Sequence, residues 1–79
     1  MKPELFYTIA DAGGAAARKA IMERGLLERF KFRNLYYEEV QHDLAAHHGP
    51  GEPRLPALWD GERLHEGLDA VLAAIAAIA

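Results

Sequence analysis

The sequence predicts an α/β domain: a four-stranded mixed sheet with helices on both faces. Three observations predict it. A short aromatic and β-branched run, Glu4 to Ile9, precedes an alanine-rich stretch and then a second alternating run, Phe30 to Tyr36. That order is the signature of a βαβ unit with parallel strands. An Asp60-Gly61 pair between apolar runs marks a hairpin. From Leu68 onward, apolar residues recur with a helical period.

Each element has its own local cause. Glu4 to Ile9 (ELFYTI) reads as a short buried strand. Ala10 to Gly14 forms a turn in which Asp11 is an available N-cap. The helix that follows runs through Arg24, with Ala17, Ala20, Ile21 and Arg24 sharing a face. Gly25 suits the residue just past its end, and Leu26 suits the accompanying apolar contact. In the second strand, Phe30 and Phe32 take one side, and Arg29, Lys31 and Arg33 take the other. A half-exposed strand at a sheet edge is expected there, because charge discourages unwanted pairing.

A second helix is predicted over Glu38 to His48, with Val40 and Leu44 as its narrow apolar stripe and Gly49-Pro50-Gly51 as its stop. Pro56 to Trp59 reads as a strand whose first residue is proline, a position that loses no ladder bond. Arg63-Leu64-His65 returns beyond the Asp60-Gly61 turn, and Glu66-Gly67 leads into a last helix, Leu68 to Ile78. Its core face is Leu68, Val71, Leu72, Ile75 and Ile78. The predicted order is β-α-β-α-β-β-α in one domain over residues 1–79.

Composition narrows the chemistry. Among 79 residues there is no cysteine, which excludes dithiol redox activity, disulfides and thiolate nucleophiles. Serine is absent and Thr8 is the one threonine, placed inside the first strand, so no hydroxyl nucleophile is legible. The net charge of −3 argues against a nucleic-acid partner, whose phosphates need a basic surface. The apolar stretch from Leu68 to Ala79 is shorter than the roughly 20 residues of a bilayer span, and Met1-Lys2-Pro3-Glu4 does not open a signal peptide. A cytoplasmic protein with no membrane partner is the expectation.

Four groups of side chains carry candidate chemistry. The Asp11, Ala12, Gly13 and Gly14 turn offers free helix-start N–H groups and two glycines that permit close approach of a ligand. Its competing reading is that the Asp11 carboxylate caps the helix and fills that site itself. Glu39, Asp43 and His47 lie at i, i+4, i+8 on one helical strip, a spacing that suits zinc or nickel but equally a solvated face. Arg29, Lys31 and Arg33 read as an ordinary solvated edge, with an acidic partner as the alternative. Trp59, Tyr36 and Tyr37 are partner anchors if exposed, with at least one expected in the core.

The element order, with proline opening the third strand, resembles the minimal thioredoxin fold of glutaredoxins and of the N-terminal domain of glutathione transferases. The resemblance covers Glu4 to about Ile75. Ala17-Arg18 and Gly25 match the alanine, basic residue and helix-closing glycine that follow the Cys-x-x-Cys motif of glutaredoxins. Asp11-Ala12-Gly13-Gly14 then stands at that motif, with Asp11 and Gly14 at the two thiol positions. Arg54-Leu55-Pro56 matches the Thr-Val-Pro loop, which implies a cis Leu55–Pro56 bond. Leu55 to Gly61 is similar to the Leu-Pro-x-Leu-x-Asp-Gly of glutathione transferases. Glu66-Gly67 stands where those proteins use Glu-Ser for the γ-glutamyl group of glutathione, keeping the acid and losing the hydroxyl.

The resemblance implies a binding module rather than a redox enzyme, and no catalytic residue is assigned. The expected site is the groove between the Asp11–Gly14 turn and the Leu55–Pro56 loop, with Leu55 offering backbone groups and Arg54, Glu66 and Gly67 at its rim. A protein or peptide segment is the expected partner. No cofactor or metal is assigned. Glutathione is the alternative, a weak ligand for which Tyr7 is the nearest candidate thiol-activating group. A homodimer built through the Phe30–Tyr36 edge is the third reading.

Overall fold

In the computed structural model, which describes residues 2–78, the sheet is organised around β1 (Glu4–Tyr7). Its strand order is β2-β1-β3-β4. β2 (Lys31–Asn34) runs parallel to β1, with Leu5 opposite Phe32 and Phe6 opposite Arg33. β3 (Ala57–Trp59) pairs antiparallel on the other side of β1, and β4 (Leu64–Glu66) pairs antiparallel with β3. Three helices complete the chain: α1 (Ala12–Glu23), α2 (Glu38–His48) and α3 (Leu68–Ile78).

Because successive strand residues face opposite sides of a sheet, β1 divides its two central side chains between two cores. Leu5 and Leu58 meet Ala17 and Ile21 of α1 and Val71 and Ile75 of α3. Phe6 and Ala57 meet Val40 and Leu44 of α2. The helices therefore cover both faces, α1 with α3 on one and α2 on the other. Every one of these eleven-residue or longer helices draws its order from such burial more than from propensity, since isolated helices of that length are marginal in water.

The helix ends follow their expected chemistry. At the end of α1, Gly25 adopts φ 69°, its N–H bonds the Met22 carbonyl, and the Leu26 N–H reaches the Ile21 carbonyl at 3.0 Å. This paired arrangement satisfies carbonyls that the helix would otherwise leave open, and it carries buried Leu26 into the same core as Ile21. α2 and α3 span the residues predicted for them.

Four expectations need correction. The first strand ends at Tyr7, so Ile9 lies beyond the sheet and is 79% exposed. β2 stops at Asn34 rather than Tyr36, because the Asn34 side chain accepts the Tyr36 N–H in a local turn; Arg29 sits before it in a single 3₁₀ turn, Leu27–Arg29. The hairpin is displaced by one residue. Asp60 and Arg63 flank a tip of Gly61 and Glu62, Gly61 takes φ 105°, and β4 runs from Leu64 to Glu66 instead of starting at Arg63. The Asp60 carboxylate fixes that register by accepting the N–H groups of Glu62 and Arg63.

The fourth correction concerns Arg33. It is not a solvated edge charge: its guanidinium bridges Glu4 and Asp43 and lies 5.5 Å from the Phe6 ring centroid. On the side of β2 opposite Phe32, Arg33 is thus turned toward Asp43 of α2, whereas Lys31 is exposed. Both partners keep the guanidinium more firmly protonated than usual, chiefly through the Asp43 bond, and Arg33 in turn lowers the Asp43 pKa. Among the described residues, no helix is long and apolar enough to cross a membrane.

Candidate functional site

The start of α1, the end of β1 and the segment before β3 converge at one end of the sheet. Asp11, in extended backbone, accepts the Gly13 N–H through Oδ1 at 3.1 Å, and its own carbonyl accepts the Gly14 N–H at 3.0 Å. The helix start is thus capped by its own carboxylate, and the reading of an open anion site there is displaced. The other carboxylate oxygen, Oδ2, is buried and has no hydrogen-bond partner among the described residues.

The two glycines serve the chain's own packing. A Cβ on Gly13 would stand 2.9 Å from Pro56 Cδ. One on Gly14 would stand 3.0 Å from Tyr7 Cβ and 3.3 Å from the Thr8 carbonyl oxygen. The first distance is closer than real Cβ atoms come and the other two are tighter than most, so glycine at both positions lets α1 seat against β1 and the Pro56 loop. Tyr7 is half-buried, and the Arg18 guanidinium lies 4.5 Å from its ring centroid.

Across the groove, the Leu55–Pro56 bond is cis, as expected. Pro56 is fully buried and its carbonyl accepts the Gly67 N–H at 2.9 Å. The Glu66 carboxylate accepts the Arg54 N–H at 2.8 Å, and the same oxygen lies 3.4 Å from His48 Nε2. The Arg54 guanidinium lies over Gly67, whose Cβ, if present, would be 3.2 Å from it. The structure therefore brings Asp11, Gly13 and Gly14 together with Arg54, Leu55, Pro56, Glu66 and Gly67. Ala12 is exposed at the first position of α1.

Leu55 is half-buried between these parts. Among the described residues, neither its N–H nor its carbonyl is hydrogen-bonded. Beside it lies an open cavity of about 510 Å³ walled by Leu35, Leu44, Ala45 and Leu55. Nothing in the local pattern signals this cavity's position beyond the small Ala45 next to Leu44 on α2. A second cavity, about 480 Å³, is lined by Arg54, Glu66, Gly67 and Asp69.

The histidine-bearing strip does not assemble as a metal site. Asp43 is engaged by Arg33, and the His47 ring stacks on Trp59 with centroids 3.9 Å apart. Among the described residues, no three His, Asp or Glu side chains gather as a metal cluster. Trp59 is half-buried and packs against the α2-side core without belonging to it. Tyr36 and Tyr37 are exposed and meet edge to face. No family model, no curated protein and no solved structure matches this chain.

Proposed function

We propose that the chain is a thioredoxin-fold domain without thiol chemistry, and that it binds an extended protein or peptide segment at the groove between the start of α1 and the Leu55–Pro56 loop. The fold reading is supported by the strand order β2-β1-β3-β4, with its parallel and antiparallel pairs, and by α1 and α3 covering one face while α2 covers the other. The observation that carries the binding role is Leu55. The residue is half-buried and its backbone unpartnered at the mouth of a groove, where an added strand would satisfy both groups.

Glutathione is a second reading, favoured by the cavity in which Arg54, Glu66 and Asp69 place both signs of charge together, as the amino and carboxylate ends of that tripeptide require. It ranks lower because the unmatched Asp11 carboxylate repels an anion at the α1 start. Its affinity is expected near millimolar, about −4 kcal/mol.

An amide chemical-shift titration tests the site. A pool of short unstructured peptides should move the Leu55, Arg54 and Gly13 resonances, and glutathione should move them less. Shifts confined to Glu39, His42, Asp43 and His47 on adding zinc, with the Leu55 loop silent to every peptide, would overturn it.

A further inference from the structure

We infer that the groove beside Leu55 selects an extended segment carrying an apolar side chain flanked by basic residues. This rests on the peptide-binding reading of the same groove and names what that reading leaves open. Apolar side chains, Leu35, Leu44, Ala45 and Leu55, wall the cavity next to the free Leu55 backbone. An added strand projects alternate side chains to one face, so a residue paired at Leu55 can set its own side chain into that cavity. The Gln41 amide, which also lines it, donates to the Leu35 carbonyl at 2.7 Å. One of its two amide hydrogens is thereby engaged, and the four aliphatic side chains stand beside it in that wall.

The charge around the cavity has one sign. Among the described residues that line it, Glu52 alone is charged. Glu38 stands on the same strip of α2 as Gln41 and Ala45, at i, i+3 and i+7, and is exposed. The one cation of the neighbouring loop, Arg54, lies over Gly67 and lines the other cavity. Lys or Arg flanking the inserted residue complements the Glu52 carboxylate on the cavity wall, with exposed Glu38 on the helical strip that lines it. Exposed Ile9 and Tyr36 directly follow the lining residues Thr8 and Leu35 in the chain.

Three acetylated, amidated peptides of equal length test this by chemical-shift titration: one with a central Lys-Leu-Lys, one with Lys-Ser-Lys and one with Glu-Leu-Glu. The first is expected to move Thr8, Ala45 and Leu55 and to bind at least about tenfold more tightly than the other two. Ala45→Leu, an exposed helical position that tolerates leucine, is expected to fill the cavity and erase the preference for leucine over serine. Glu52→Lys is expected to reduce the preference for lysine flanks over glutamate flanks. If all three peptides move Leu55 equally, the groove binds peptides but the apolar-basic selectivity is wrong. If none moves Leu55, the peptide-binding reading itself fails.

Discussion

A methyl group placed on Gly13 would stand 2.9 Å from Cδ of Pro56 and 3.4 Å from both carboxylate oxygens of Asp11. The proline ring is held in the core and has no flexible end to swing aside. This one contact joins the start of α1 to the loop that presents Leu55, so the width of the groove depends on it.

Gly13→Ala is therefore expected to lower stability by about 1–2 kcal/mol. Overpacking costs roughly 1–3 kcal/mol, and the better helix propensity of alanine offsets up to ~1 kcal/mol. Urea denaturation measures the difference. A variant as stable as the parent would show that the helix start and the Pro56 loop are not in tight contact.

The Arg54 N–H depends on one side-chain oxygen, that of Glu66. Glu66→Ala should accelerate exchange of the Arg54 amide hydrogen by at least about tenfold, because a bond to a charged acceptor contributes roughly 1.5–3 kcal/mol. Glu66→Gln keeps an acceptor at that place and should retain most of the protection. Hydrogen exchange followed by NMR separates the two. Equal exchange in the parent and in Glu66→Ala would mean that Glu66 does not hold the loop.

Acid stability should report on the hairpin. The Asp60 pKa is lowered to about 2, first by the bond to His65 and then by the N–H groups of Arg63 and Glu62. A depressed carboxyl pKa stabilises the fold fully above the ordinary value near 3.8 and loses that contribution as pH falls through the folded value. Thermal melts between pH 5 and about pH 2 should thus show a fall that Asp60→Asn flattens, with the variant less stable than the parent at neutral pH. An unchanged slope in the variant would assign the acid loss to other groups.

Much of this architecture is legible from local pattern. The limits of α2 follow from Gly49 and its two-residue apolar stripe, and those of α3 from Gly67 and its apolar period, because caps and periodicity act over a few neighbouring residues. The Gly25 helix stop is local in the same way. The Asp11 to Gly14 turn is legible from its helix-start donors and glycines, whereas the Leu55 loop as its counterpart enters through resemblance. Gly13 and Gly14 face Pro56 and Tyr7.

What the sequence determined by itself is the identity and order of the elements, together with the absence of thiol chemistry, since no cysteine exists to supply it. Tertiary structure alone decided which distant groups meet. Alternation put Arg33 opposite Phe32, but only the covering of that face by α2 turned it toward Glu4 and Asp43. Helical spacing put His47 in line with Asp43, but only the packing of α2 on β3 stacked it on Trp59. The cavity beside Leu55 belongs to neither β1 nor α2 nor the loop before β3; it exists between them. Propensity and periodicity act along the chain, whereas these partnerships depend on sheet register and helix docking, which join residues far apart in it.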